Sequence, residues 1–213
     1  MSEPTGPLAD ERLDPEIVSS ELAYRGKVWD VRSDRFLLDG NEITREYVAH
    51  TGAVAVLAMD GEGRVLLIQQ YRHPVRSRDW ELPAGLLDMA GEDPLSAAQR
   101  ELAEEVDLVA TDWALLSEFM STPGGSNEML RVYLARGLSS TPEAFDRTEE
   151  EAGIVVRWVD LDEAVDAVLA RRLQNAIVAI ALLSARAERD RGWTGLGDAD
   201  APWTRHASGR WVE

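Results

Sequence analysis

The chain has 213 residues, 45% of them apolar, which is enough for one domain with a sizeable core and a small appendage. Its net charge of −17, with no basic run of useful length, argues against nucleic-acid partners. No apolar run approaches the roughly 18 residues of a membrane span, and no cysteine is present to form disulfides or thiolate metal sites, which fits a reducing cytoplasm.

Residues 1–15 are rich in Pro, Gly and acids and are expected to be disordered; they lack the apolar stretch of a signal peptide. Strand patterns follow over 16–24, 28–38 and 42–50, with a hairpin signal at Asp39-Gly40-Asn41. The antiparallel sheet of 16–50 is too small to stand alone and must pack on its own body or on a second subunit. The continuous apolar run 53–59 predicts a strand buried on both faces. A turn at 60–63 returns the chain into a strand over 64–71, ended by Arg72-His73-Pro74. A polar loop with Arg76, Arg78 and Asp79 leads through Trp80, a packing residue, into a helix over 94–106.

Past that helix, strands are predicted over 114–120, 129–135 and 154–159. The first two flank a turn-rich loop, Ser121-Thr122-Pro123-Gly124-Gly125-Ser126-Asn127-Glu128. A long polar loop, 137–153, precedes the third and carries Glu149, Glu150 and Glu151. Helices are expected over 162–171 and 173–186. The tail from 189 onward reads as irregular but anchored by Trp193, Trp203 and Trp211.

The helix over 94–106 has the most chemical content. Asp93 can cap it and Pro94 suits its first position. Leu95, Ala98, Leu102 and Val106 form a buried stripe. Glu101, Glu104 and Glu105 share an adjacent face. Like charges at this spacing cost roughly 0.2–0.5 kcal/mol per pair, and the C-terminal dipole favours cations instead. A hard divalent cation would reverse these penalties. The plain alternative is a solvated acidic face.

The surrounding residues resemble the Nudix box: Gly85, a spacer, Glu92, seven residues, then Arg100-Glu101-Leu102-x-Glu104-Glu105. Two positions depart from it. The spacer is one residue longer than usual, and Asp107 stands where the box ends in Gly. Trp80-Glu81-Leu82-Pro83-Ala84-Gly85, Tyr71-Arg72-His73-Pro74 and the 121–128 loop, with Pro123 fifteen residues past Leu108, are similar to the ADP-ribose pyrophosphatase branch. The resemblance implies a Nudix α/β/α sandwich on a mixed sheet over 51–188. It also implies an N-terminal antiparallel sheet over 16–50 exchanged across a homodimer, leaving 189–213 as a tail.

It further implies hydrolysis of a nucleoside diphosphate substrate, with ADP-ribose giving AMP and ribose 5-phosphate, dependent on Mg²⁺ (or Mn²⁺). Glu101 and Glu105 would be the principal ligands, with Glu104 and the Ala84 carbonyl; Glu104 has a salt bridge to Arg100 as its alternative. Glu92 and Arg100 would pair to brace the site around Gly85. Glu151, with Glu150 behind it, is the candidate general base. Arg72 would fork onto the diphosphate, and Glu81 and Glu128 would accept ribose hydroxyls. Arg25, Trp29 and Arg45 would reach the partner's site. His50, His73 and His206 have no metal spacing and receive no role. Other diphosphate substrates, such as GDP-mannose, stay open, as does a non-catalytic ADP-ribose sensor.

Overall fold

The computed structural model describes residues 6–145 and 153–205. They form two units, divided between Ala49 and His50, and each is described by itself.

In the first unit, β1 (Glu16–Tyr24), β2 (Asp30–Leu38) and β3 (Asn41–Ala49) form an antiparallel sheet in that order. Asp39 and Gly40 join β2 to β3 at φ 51° and 78°, with Leu38 opposite Asn41. Positive φ at both turn positions matches the strand twist, and Asp-Gly accepts it at low strain. Ser20 donates to Asp34, and Arg32 donates to the Ser20 hydroxyl through Nε at 3.2 Å. Burial, and next the Asp34 charge, push the Tyr47 phenol up to about 12.

The second unit is built on β4 (Ala53–Ala58), whose residues are all buried. Val54, Val56 and Ala58 pack with Ala97, Ala98 and Leu102 of α1 (Pro94–Val106). Ala55 and Leu57 pack on the other face with Leu161 and Ala164 of α2 (Leu161–Leu169) and Val178, Ala181 and Leu182 of α3 (Ala176–Asp190). Helices therefore cover both faces of the sheet. That is why this strand is apolar at every position rather than at alternate ones.

β4 runs parallel to β9 (Met129–Ser140) and antiparallel to β7 (Ala84–Leu86). With β8 (Leu108–Met120) and β11 (Gly197–Asp198), they make a mixed sheet ordered β11-β8-β9-β4-β7. β10 (Val155–Asp160), β5 (Arg64–Arg72) and β6 (Ser77–Glu81) form a second, antiparallel sheet. The architecture is a mixed α/β one with a separate small antiparallel sheet.

Several elements differ from the sequence reading. The polar loop at 76–79 is largely β6, paired with β5 from Arg72↔Ser77 to Ile68↔Glu81. Its charges mask the strand, because an edge strand tolerates them. β8 begins at Leu108 rather than 114, and β9 continues to Ser140, so the loop expected from 137 is shorter. These added halves hold Thr111, Asp112, Arg136, Gly137 and Ser139. They are strands only because each supplies the other's ladder, Leu108↔Ser140 through Trp113↔Ala135. α3 starts at Ala176, because the Asn175 side chain accepts from the Ile177 and Val178 amides. In the tail, Trp193 packs on the core. Trp203 lies 4.8 Å from the guanidinium of Arg131, which also donates to the Ala201 carbonyl at 2.8 Å. Trp211 lies outside the described residues.

Candidate active site

α1 starts sharply. Asp93 Oδ1 accepts from the Leu95 and Ser96 amides at 3.1 and 3.0 Å, and Pro94 has no amide to satisfy. The helix ends on Asp107 at φ 56°, whose amide donates to the Ala103 carbonyl at 3.0 Å. Its carboxylate accepts from the Phe145 amide at 2.8 Å, so the left-handed residue is held by its own side chain.

The helix presents its acids to β7. A Cβ built on Gly85 would lie 1.9 Å from Glu101 Oε1 and 2.1 Å from its Cδ. Only glycine lets the carboxylate come this close to the backbone. One turn on, Glu105 is buried, and its Oε2 accepts from the Ala84 amide at 2.9 Å. Arg100 gathers the rest. Its Nε and Nη2 each bond Glu92 at 2.9 Å, while Nη1 reaches Glu101 at 2.6 Å and Glu104 at 3.0 Å. These bonds to Arg100 hold the Glu92 carboxyl below its usual range. Glu104 is the most open of the set, with a side chain 41% exposed.

Among the described residues, no three His, Asp or Glu side chains form a ready-made metal cage, and Glu101 and Glu104 are engaged with Arg100. The donors are all hard oxygens, beside a backbone position kept clear of any Cβ. That set fits a hard divalent cation and not a soft one.

A second group lies just upstream. Arg72 forks onto Glu81 through Nε at 2.9 Å and Nη2 at 2.6 Å, and Gln70 donates to the same carboxylate at 3.2 Å. Glu81 is buried and holds Arg72, so a ribose hydroxyl would compete with these donors. The Arg72 side chain is 42% exposed.

A third group contains Glu128. Its Oε2 accepts from the Ser121 hydroxyl, and its Oε1 lies 3.2 Å from His50 Nε2. His50 Nδ1 accepts from the Gly52 amide at 3.0 Å. Burial pushes the imidazole below its ordinary value, against the opposing pull of Glu128.

The sequence reading gave His50 no role and passed over Gln70 and Ser121. The available signal was His50-Thr51-Gly52 standing directly before an apolar run. Arg25 and Arg45 are exposed and Trp29 is half-buried, all in the first unit. The candidate bases Glu150 and Glu151 lie outside the described residues, as does Glu149.

A carboxylate-bearing helix that packs its acids on a Gly-containing strand, within a mixed sheet between helical layers, defines the class. The chain belongs to the Nudix family of hydrolases: the NUDIX domain matches residues 49–180. An ADP-ribose pyrophosphatase of Mycobacterium tuberculosis is 44% identical over 177 residues, covering 82% of this chain and 84% of the relative. A Bacillus subtilis protein of the same name is 36% identical over 171 residues, covering 80% and 91%. The crystal structure of an ADP compounds hydrolase matches with a TM-score of 0.70 at 23% identity. It covers 86% of this chain and 99% of that one, a likeness of fold. Nudix hydrolases generally use a divalent metal ion.

Proposed function

We propose that this enzyme hydrolyses the diphosphate of ADP-ribose to AMP and ribose 5-phosphate with Mg²⁺ (or Mn²⁺) bound. The observation that carries the reaction class is the seating of Glu101 and Glu105 against Ala84-Gly85. The two ADP-ribose pyrophosphatases that cover four-fifths of the chain support the substrate. Glu101, Glu104 and Glu105, with the Ala84 carbonyl, would hold the ion. When bound, it would neutralise diphosphate charge and lower the pKa of a water.

The protein's own residues do the positioning. The Ala84 amide orients Glu105, and Arg100 holds Glu101 beside Gly85. Arg72, aimed by Glu81, binds diphosphate oxygens. Glu151 or Glu150 accepts a proton from the attacking water. The water oxygen bonds one phosphorus, and the bond from that phosphorus to the bridging oxygen breaks.

The working unit is a homodimer in the cytoplasm. Ile17, Val18, Leu22, Tyr24 and Val28 of the first unit are 41–67% exposed, which supports an exchanged sheet as the interface. Arg25, Trp29 and Arg45 would then serve the partner's site.

Phosphate-product analysis with Mg²⁺ against ADP-ribose, GDP-mannose, NADH, a dinucleoside polyphosphate and dATP tests the reading. Preferential formation of AMP from ADP-ribose, abolished by chelator, supports it. Preference for GDP-mannose overturns the substrate. Tight ADP-ribose binding with no turnover of any compound supports the sensor instead.

A further inference from the structure

His50 is the one buried imidazole of the described residues, and the proposed reaction does not use it. Its side chain is 8% exposed. Nδ1 accepts from the Gly52 amide at 3.0 Å, so its lone pair is occupied and the ring proton sits on Nε2. That nitrogen is 3.2 Å from Glu128 Oε1. The His50 amide donates to Asn127 Oδ1 at 2.7 Å, and the Glu128 amide donates to Ser126 Oγ at 3.1 Å. His50 and Ser121 therefore each occupy one oxygen of the Glu128 carboxylate, Ser121 from the start of the 121–128 loop and His50 from the segment just before β4.

A carboxylate has about four acceptor sites, so roughly one remains on each oxygen, and the Glu128 side chain is still 23% exposed. Two acceptors side by side suit a pair of vicinal hydroxyls. The location fits as well. Leu130 pairs with Ala53, Ala53 pairs with Leu86, and the Gly52 carbonyl accepts from the Leu87 amide at 3.0 Å. The loop thus opens at the end of three adjacent strands, β9, β4 and β7, the last of which carries Ala84-Gly85.

We propose that His50 is a positioning residue that aims the Glu128 carboxylate at a ribose diol of the substrate, so that it governs sugar recognition and not the chemical step. This rests on the function proposed above. The neutral Nε2–H tautomer is what the task needs: it donates one hydrogen bond to Glu128 and leaves the carboxylate its full charge for the sugar. The Gly52 amide enforces that tautomer.

The test uses full-length protein, His50→Ala and His50→Gln, with ADP-ribose and analogues lacking one hydroxyl on either ribose. His50→Ala should raise KM for ADP-ribose about tenfold, the loss of one hydrogen bond to a charged group, and leave kcat within about twofold. On an analogue missing one hydroxyl of the diol that Glu128 holds, the KM penalty of His50→Ala should be clearly smaller than on ADP-ribose. His50→Gln keeps an N–H donor and should recover most of the loss. An equal penalty on every substrate, a fall in kcat at constant KM, or no change would overturn the proposal.

Imidazole ¹⁵N spectra of wild type should show His50 as the neutral Nε2–H form, and an Nδ1–H form would overturn it too. A wild type inert on ADP-ribose would overturn the function proposed above. Calorimetric binding of ADP-ribose and its analogues to the same variants then decides the role of His50 by the same tenfold criterion, read in Kd.

Discussion

Replacing Gly85 by alanine tests the site most directly. The new Cβ would stand 1.9, 2.1 and 2.6 Å from Oε1, Cδ and Cγ of Glu101, where ordinary contact begins at 3.4 Å. The oxygen must retreat by about 1.5 Å (3.4 less 1.9), and the whole carboxylate swings with it. Gly85 does not have a positive φ, so alanine adds no backbone strain. The smaller entropy of its unfolded state contributes about 0.4–1 kcal/mol in its favour. Against that, the Arg100–Glu101 bond at 2.6 Å is lost or lengthened, and hydrogen bonds to charged groups are worth about 1.5–3 kcal/mol. Net destabilisation should be about 1–2 kcal/mol, a Tm fall of roughly 2–8 °C for a chain of this size.

Activity should suffer far more, because displacing a catalytic group by about 1 Å can cost about 100-fold. The assay is kcat/KM on ADP-ribose at saturating Mg²⁺, beside a thermal melt. Gly61→Ala is the control, since its Cβ meets nothing within 4 Å. A Gly85→Ala enzyme within threefold of wild type would refute the claim that the Gly85–Glu101 approach builds the site.

Arg100→Ala leaves Glu92, Glu101 and Glu104 without their shared cation and should lower stability by about 2–3 kcal/mol in urea denaturation. Arg100→Lys should recover less than half of that, because an ammonium cannot reproduce the fork on Glu92. Glu105→Gln should cut kcat by about 100-fold or more, and Glu104→Gln, on the most exposed of the acids, by less; both effects are read at saturating metal. Full activity in the Glu104→Gln, Glu105→Gln double variant would refute the metal site.

Stability should also depend on acid through Glu92, whose carboxyl lies below its ordinary value of 4.5 because Arg100 bonds it. A depressed folded-state pKa contributes stability that is complete above the unfolded value and lost as pH falls through the folded one. The Tm advantage of wild type over Glu92→Gln should therefore shrink from neutral pH toward pH of about 3. An advantage that grows in acid would contradict the assignment.

Elements whose signals are local can be read from the residues alone. α1 is legible from its Asp93 cap, Pro94 and apolar stripe, because capping and helical period act within a few residues. The β2–β3 hairpin is legible from Asp39-Gly40, because positive φ is a property of the turn residues themselves. β4 is legible because burial on both faces leaves no polar position. The acids of α1 and their Arg100 neighbour share one helix, so their proximity follows from its pitch.

Features that depend on a partner distant in the chain emerge only when the chain folds. β6 and the added halves of β8 and β9 are polar segments that become strands only through hydrogen bonds across the ladder. Glu81 could be read as a free sugar acceptor until β5 placed Arg72 and Gln70 on it. His50 carried no motif, and only the 121–128 loop folding back beneath it gives the ring a partner 78 residues on. The close approach of Gly85 to Glu101 is of the same kind. The glycine is visible in the sequence, but its reason is a carboxylate on another element that arrives only when the helix docks on the sheet.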